Sequence, residues 1–232
     1  MMHVISLGDY YADVKDDGEH SELANLRERL APLCKERPRR IDRFIELSLL
    51  GSGLCASKLP AGIELESQTA LFIASGLASM SNVVKVQQQI FLHGEPPKPA
   101  SFINTLSNSA GYYVARNLGL HGKNIFVSRE NSSFEAVLQL AALDFATGAS
   151  RGVLLGVVDE CPPPFAHQRK RMRLGEDAPL AEGSHWFLLR SASQAKSSAS
   201  PLEPLASISA PQTIKGESEL MKWLHSQSLE NT

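Results

Sequence analysis

Apolar and polar positions alternate along this chain in blocks that fit strands and helices in turn. Short apolar runs rich in β-branched and aromatic residues predict strands, and they lie at residues 4–7, 70–75, 124–128, 153–158, 181–190 and 205–209. Apolar residues at helical spacing predict helices at residues 23–33, 44–56, 80–92, 110–118, 134–145 and 217–225. This alternation predicts an α/β layered domain with a mixed, mainly parallel sheet.

Polar segments separate these blocks and set the predicted domain division. Gly8 is expected to end the first strand, and residues 15–20 read as a turn. Residues 161–182, with a basic string at 169–173, predict a mobile surface loop, and residues 194–200 predict a flexible connector. We therefore expect one domain over residues 1–192, followed at 193–232 by the connector, one strand and a short C-terminal helix.

Residues 122–160 form the most informative stretch, a strand, a polar turn, a helix and a second strand. Ser132 or Ser133 can cap the helix, and Gly148 can end it. Asp159 and Glu160 close the second strand, and two such strands in a parallel sheet require a right-handed crossover. A strand-to-helix turn is a frequent position for a catalytic nucleophile, because the residue there lies beside the amides of a helix N-terminus.

Several motifs in order then identify a family resemblance. They are the basic lead-in Arg39, Arg40 and Arg43, Phe102 shortly after Pro99, Asn108, the run LGLHG at 118–122, the turn SRENSS at 128–133 and the strand at 181–190. Over residues 39–190 the chain resembles the N-terminal half of β-ketoacyl synthases, members of the thiolase superfamily. The resemblance implies a thiolase-like layered fold and places Asn131 where that family has its nucleophilic cysteine.

The resemblance also implies that the family's chemistry is missing. An asparagine amide cannot accept an acyl group from a thioester as a thiolate does. The family's two catalytic histidines come from the second half of its fold. The resemblance implies that this chain includes little of that half beyond its first strand. His185 and His225 lack the family contexts and are expected to be structural or exposed. The prediction is a subunit that is not an enzyme, similar to the chain-length factors of type II polyketide systems and, being short, to those of aryl-polyene systems.

A partner subunit is expected for the same reason. In the family, the strand before the nucleophile pairs with its copy in the neighbouring subunit, and an unpaired apolar edge strand promotes aggregation. The implied partners are an active β-ketoacyl synthase, in a heterodimer or larger assembly, and an acyl carrier protein. The predicted interface or tunnel residues are Phe102, Ile103, Leu106, Asn108, Tyr112, Tyr113, Ile125, Val127, Asn131 and Phe134.

Other interpretations of these residues stay open. Tyr112 and Tyr113 can equally be ordinary core or interface aromatic residues. Asn131 either holds the turn by hydrogen bonds across the former active site or is a tolerated turn residue. The basic string at 169–173 either docks a carrier protein or is a solvated loop.

Two other functions also compete with the chain-length factor. One is a scaffolding subunit that binds acyl carrier protein and has no role in product length. The other is a serine-dependent acyltransferase using Ser132 or Ser133, although no histidine lies in a triad motif; His93 and His121 are the nearest in sequence.

Composition narrows the class without naming a function. The chain has 232 residues, 43% of them hydrophobic, and a formal net charge of -2, so nothing attracts it strongly to nucleic acid or to anionic membranes. No signal peptide and no apolar stretch near the roughly 20 residues of a membrane span is evident. Three cysteines without CxxC spacing predict free thiols in the cytoplasm, with no metal and no cofactor.

Overall fold

A computed structural model describes residues 2–14, 25–191 and 206–208. The strands in these residues are β1 (Met2–Val14), β2 (Ala70–Ala74), β3 (Asn124–Val127), β4 (Gly152–Asp159), β5 (Leu180–Ser191) and β6 (Ala206–Ile208). The α-helices are α1 (Leu26–Leu30), α2 (Arg43–Ser57), α3 (Met80–Phe91), α4 (Pro99–Ile103), α5 (Ser109–Leu118), α6 (Ser133–Thr147) and α7 (Phe165–Met172). Two 3-10 turns, Ala31–Leu33 and Glu130–Ser132, follow α1 and precede α6.

The described strands form one sheet in the order β3-β2-β4-β5-β1-β6. β2 pairs in parallel with β3 and β4, while β4 with β5, β5 with β1, and β1 with β6 pair antiparallel. The mixed α/β architecture is confirmed. The expectation of mainly parallel pairing is wrong, because three of the five pairings are antiparallel. Strands buried on both faces show the same apolar run in either direction, so the sequence does not record their orientation.

The first strand is longer than predicted because Gly8 does not end it. β1 continues to Val14 and pairs with β5 from Met2 opposite Ser191 to Val14 opposite Leu180. A Cβ atom at Gly8 would lie 2.3 Å from both the Cys55 nitrogen and the Gly51 oxygen of α2. This glycine therefore permits the close approach of a helix to the strand, a role that a turn signal resembles in sequence.

The sheet separates two apolar clusters, one on each face. On one face α2 packs Phe44, Leu47 and Leu50 against strand residues that include Leu71 and Trp186. On the other face Val137, Leu138 and Ala141 of α6 share a cluster with strand residues that include Phe72 and Leu155. The helix predicted after the strand-to-helix turn is confirmed as α6, and Gly148 ends it in the left-handed conformation at φ +71°.

The predicted loop at 161–182 is wrong, since it contains the helix α7. Gln168 and Arg169 of this helix are buried. Gln168 Nε2 donates to the Pro162 oxygen at 3.1 Å, and Arg169 Nε donates to the Ala178 oxygen at 2.8 Å. These polar side chains are buried because they hydrogen-bond to the backbone of their own segment. Hydrophobic periodicity does not reveal burial of this kind. The short helix α4 also lies in a stretch for which no helix is predicted.

Several predicted features lie outside the described residues. They are the turn at 15–20, the connector at 194–200, the helix at 217–225 with His225, and the domain boundary after residue 192. The strand predicted at 205–209 is confirmed as β6. Across the described part of the chain, no helix combines the length and apolar character that a bilayer span requires.

Candidate functional site

Three parallel strands end at the same edge of the sheet, and their turns meet there. Ala74 of β2 lies opposite Val127 of β3 on one side and Val157 of β4 on the other. A Cβ atom at Gly76, after β2, would lie 3.6 Å from the Glu130 oxygen and 3.7 Å from Asp159 Oδ1. The turn after β3 therefore lies close to the ends of β2 and β4, at the carboxyl edge where open α/β sheets bind ligands.

Ser133 holds the turn after β3 from inside. Its Oγ accepts from the Arg129 nitrogen at 2.7 Å and lies 2.9 Å from the Ser75 oxygen and 2.8 Å from the Glu130 oxygen. Glu130 has φ +49°, a conformation that non-glycine residues rarely adopt, and these bonds hold the strand-to-helix turn in that shape. The prediction of a side-chain cap is wrong: Ser132 occupies the N-cap position of α6 without a side-chain cap bond, because the 3-10 turn precedes the helix.

Asp159 fastens the turn after β2 in the same way. Its carboxylate accepts from Ser75 Oγ at 2.7 Å and from the Gly76 and Leu77 nitrogens, both at 2.9 Å. Ser75 Oγ in turn accepts from the Ala78 nitrogen at 2.7 Å. Burial raises the pKa of Asp159, while these donors oppose that shift. The sequence analysis noted Asp159 only as a strand end; an acidic residue directly after a buried strand at this edge was the available signal.

Asn131 lies at the position that the sequence assigned to it. Its backbone belongs to the 3-10 turn Glu130–Ser132, directly before α6 and at the end of β3. The two interpretations of its amide stay predictions.

Two other candidate nucleophiles near this edge, Ser133 and Cys161, are occupied or protonated, while Ser132 is exposed. Ser133 Oγ is engaged with main-chain atoms. Burial raises the pKa of Cys161 to about 11, with the nearby Glu182 charge adding to it, so this thiol stays protonated at neutral pH and is a poor nucleophile. All three cysteines are free, as predicted.

In the described part of the chain, none of His93, His121 and His185 hydrogen-bonds to a residue of the turn. His93 and His121 are exposed. His185 is buried on β5, and its Nδ1 contacts Asp9 Oδ1 on β1, directly opposite in the strand register. The expectation that His185 is structural is confirmed.

The strand β3 is the edge of the sheet. It pairs with β2, and Ile125, Phe126 and Val127 are half-buried while Asn124 is exposed. No described strand lies on its other side, in agreement with the edge strand that the family resemblance implies. Phe126 packs edge-on against Phe44, with ring centroids 6.1 Å apart.

The segment of α4 and α5 carries most of the predicted tunnel residues. We call Phe102, Ile103, Leu106 and Tyr112 the α4–α5 apolar group; their exposed fractions are 58%, 56%, 58% and 56%. Tyr113 is partly buried against the core, and Asn108 is exposed. By contrast, Phe134 lies in the core, tilted against Phe187 at 6.4 Å. Large apolar side chains clustered at a surface mark interaction sites more often than isolated ones do.

The basic lead-in to α2 divides between structure and surface. Arg43 forms an ion pair with the buried Glu182, whereas Arg39 and Arg40 are exposed. A groove of about 600 Å³ has Lys35, Arg37, Arg39 and Arg116 among its lining residues. Its charge is mostly positive, with Glu36 bound to Arg116 at 2.8 Å.

No protein-family profile matches the sequence, and no curated protein matches it. Solved structures do match. The chain is similar to the ishigamide ketosynthase/chain length factor, with a TM-score of 0.69 and 18% identity over 88% of this chain and 64% of that one.

A ketosynthase in complex with its chain length factor from Xenorhabdus doucetiae gives a TM-score of 0.56 and 17% identity, over 82% of this chain and 79% of that one. A type II polyketide synthase acyl-carrier protein in complex with its ketosynthase gives a TM-score of 0.62 and 14% identity, over 84% of this chain and 59% of that one.

The chain therefore has the thiolase-like fold of ketosynthases and chain length factors, as the sequence predicted. It spans less than two thirds of the ishigamide protein that it matches.

Proposed function

We propose that this chain is a chain-length-factor-like subunit that pairs with an active β-ketoacyl synthase and has no condensing activity of its own. The observation that carries the proposal is the turn after β3. Ser133 holds its shape by hydrogen bonds, and Asp159 and Ser75 hold the adjoining turn after β2, yet the residue that the family resemblance places at the nucleophile position is Asn131.

Inactivity follows from the chemistry that condensation requires. Acyl transfer from a thioester needs an activated nucleophile with a base or a depressed pKa. Asn131 offers neither, Ser133 is engaged with backbone, and Cys161 has its pKa raised. This arrangement also argues against a serine-dependent acyltransferase that uses Ser133, because the partners of Ser133 Oγ include no histidine.

The open edge of β3 supports a partner subunit. Its backbone hydrogen-bonding groups on the side away from β2 are a template for strand pairing. Two of the similar structures are described as a ketosynthase/chain length factor and as a ketosynthase in complex with its chain length factor. A strand of an active synthase paired with β3 would complete the sheet.

The α4–α5 apolar group supports a role at the partner's acyl tunnel. Four large apolar side chains that are more than half exposed need an apolar surface to cover them. At such an interface their bulk would limit how far an acyl chain can grow.

Co-expression with an active β-ketoacyl synthase of a type II polyketide system, followed by size-exclusion chromatography with mass determination, tests the pairing. The expected result is a stable heteromer, with this chain poorly soluble alone. Ile125→Lys on β3 should abolish the heteromer, and Ser57→Lys at the exposed end of α2 should not. Thermal unfolding of both free variants identifies any folding defect. A well-behaved monomer that ignores the synthase contradicts the proposal.

A second candidate function is docking of an acyl carrier protein without control of product length. The basic groove at Lys35, Arg37, Arg39 and Arg116 favours it, since carrier proteins are acidic and complementary charge guides docking. Arg37→Glu should then weaken carrier-protein binding in a salt-dependent titration, while Lys58→Glu serves as the control. Unchanged product length in the α4–α5 variants would favour this function over the first.

A further inference from the structure

The basic groove combines exposed cations with an apolar interior. It lies between residues 34–39, which precede α2, and the helix α5, and its volume is about 600 Å³. Pockets that bind small molecules have volumes of about 300–1,000 Å³. The groove is therefore large enough for a small ligand, and its two walls come from different elements of the fold.

Hydrogen bonds hold the two walls of the groove together. Asn117 of α5 binds the opposite wall with both atoms of its amide: Nδ2 donates to the Leu33 oxygen at 3.0 Å, and Oδ1 accepts from the Lys35 nitrogen at 2.9 Å. Arg116 Nη2 also donates to Glu36 Oε2 at 2.8 Å. A concave site with walls already fixed loses little conformational freedom when a ligand binds.

The rim of the groove carries more positive than negative charge. Lys35, Arg37 and Arg39 are exposed, and none of them forms an ion pair with another described residue. The one acidic residue in the described lining, Glu36, is bound to Arg116. The three other cations have no carboxylate among the described residues to neutralise them, so the groove favours an anionic ligand.

The interior of the groove is apolar. Leu49 of α2, which is buried, lines it together with the half-buried Cys34, Pro38 and Tyr113. The ring of Tyr113 packs edge-on against that of Tyr112, with ring centroids 5.4 Å apart. Acidic side chains of a docked protein would satisfy the rim alone. A ligand that also fills the interior needs an apolar body behind its anionic head.

We propose that this groove binds a small carboxylate with an apolar body, of the size of a medium-chain fatty acid. The carboxylate lies at Lys35, Arg37 and Arg39, and the hydrocarbon packs against Leu49 and Tyr113. Charge complementarity orients the head, while burial of the hydrocarbon supplies most of the affinity. The described lining includes no residue of β3 or of the α4–α5 apolar group, so the site is separate from the proposed pairing surface.

Cys34 is a built-in reporter of an occupied groove. It lines the groove and is half-buried, whereas Cys55 and Cys161 are buried. Burial raises the pKa of the Cys34 thiol, so alkylation by iodoacetamide is followed at mildly alkaline pH. Octanoate is the probe, and it should slow this alkylation. Mass spectrometry of the labelled peptide identifies Cys34 in the full chain, whether free or in its heteromer.

Two matched compounds separate the head of the ligand from its body. The dependence of the alkylation rate on concentration should give a dissociation constant for octanoate below about 1 mM. Acetate keeps the head and 1-octanol keeps the body, and each should protect Cys34 with an affinity lower by about tenfold or more.

One pair of variants tests the cations of the rim. Arg37→Gln should weaken protection by octanoate about twofold to fivefold, because it removes one exposed charge. Lys58→Gln is the control, since Lys58 is also exposed but is not among the described lining residues, and it should leave protection unchanged.

The proposal is overturned if octanoate does not protect Cys34, or if 1-octanol protects it as strongly as octanoate does. It is also overturned if acetate is as effective as octanoate, because the groove then uses its cations alone, as carrier-protein docking requires. None of these outcomes depends on whether a synthase pairs with β3, so this proposal and the proposed function fail separately.

Discussion

The turn after β3 and the α4–α5 segment lie on the same chain but treat their side chains in opposite ways. At this turn and the adjoining turn after β2, the polar side chains of Ser133, Ser75 and Asp159 bind the protein's own backbone and one another. In the α4–α5 segment, four large apolar side chains are more than half exposed. The two turns use these polar groups internally, whereas the segment leaves apolar surface exposed.

The α4–α5 segment is nevertheless held firmly in place. Asn104 is buried and donates to the Arg40 oxygen at 2.9 Å, and Ser109 Oγ donates to the Ile103 oxygen at 3.1 Å. Its polar groups fix the backbone while its apolar groups point outward. A segment fixed in this way presents a pre-formed surface, which lowers the ordering cost of binding.

The largest effect is expected from Asp159→Ala, which removes the acceptor that fixes the turn after β2. Ser75 Oγ and the Gly76 and Leu77 nitrogens lose their partner. Leaving buried donors unpaired should lower the free energy of unfolding by about 3 kcal/mol or more. Urea denaturation measures the loss, and Asp177→Ala at an exposed position is the matched control. Equal stability of the two variants would show that the network at the turn is dispensable.

A smaller loss is expected from Ser133→Ala, in the adjoining turn after β3. The variant deletes the acceptor of the Arg129 nitrogen and a donor to backbone oxygens in a buried position. The expected change is about 1–3 kcal/mol. Ser132→Ala is the control one residue away, because Ser132 is exposed and makes no side-chain cap bond, and it should stay within about 0.5 kcal/mol. A reversed order would mean that Ser132 is the residue holding the helix start.

The sequence predicted most helices and strands around both regions, because the spacing of apolar residues follows burial and glycine marks helix ends. The buried runs of β2 and β4, the helix α6 and its end at Gly148 all follow from apolar spacing and a glycine. Apolar spacing does not give strand direction, so β5 was predicted as a strand but not as an antiparallel one. The edge position of β3 depends on topology, and the family resemblance, not the apolar run itself, predicted it.

Polar burial was the other limit of the sequence analysis. Nothing in periodicity distinguishes Asp159 or Glu160 from any acidic pair after a strand, yet both are held by backbone nitrogens. Arg169, in a string that reads as solvated, is buried against the Ala178 oxygen. The backbone of Asn131 lies in the strand-to-helix turn that the strand and helix patterns predict, while its equivalence to the family's cysteine stays a prediction.

Phe102→Ala and Tyr112→Ala should leave the free chain almost unchanged and act only in the complex. Both side chains are more than half exposed, so each variant should alter the free energy of unfolding by less than about 0.5 kcal/mol. In the heteromer with an active synthase, removing their bulk should lengthen the product, as measured by mass spectrometry. Leu174→Ala, also exposed, is the control. An unchanged product profile in an intact complex removes these two residues from the tunnel.

The smallest effect is expected from Asn131→Cys, which returns the family's nucleophile to the turn. A thiol there lies beside the first turn of α6, and its reaction with a thiol reagent reports whether it is accessible. Condensation should still be absent, because decarboxylation also needs the family's paired histidines. In the described residues His185 is bound to Asp9 in the sheet, and His93 and His121 are exposed. If the thiol is accessible and condensation is still absent, the loss of the nucleophile is not the only reason for inactivity. Measurable condensation by this variant alone would instead show that Asn131 is the only barrier to activity.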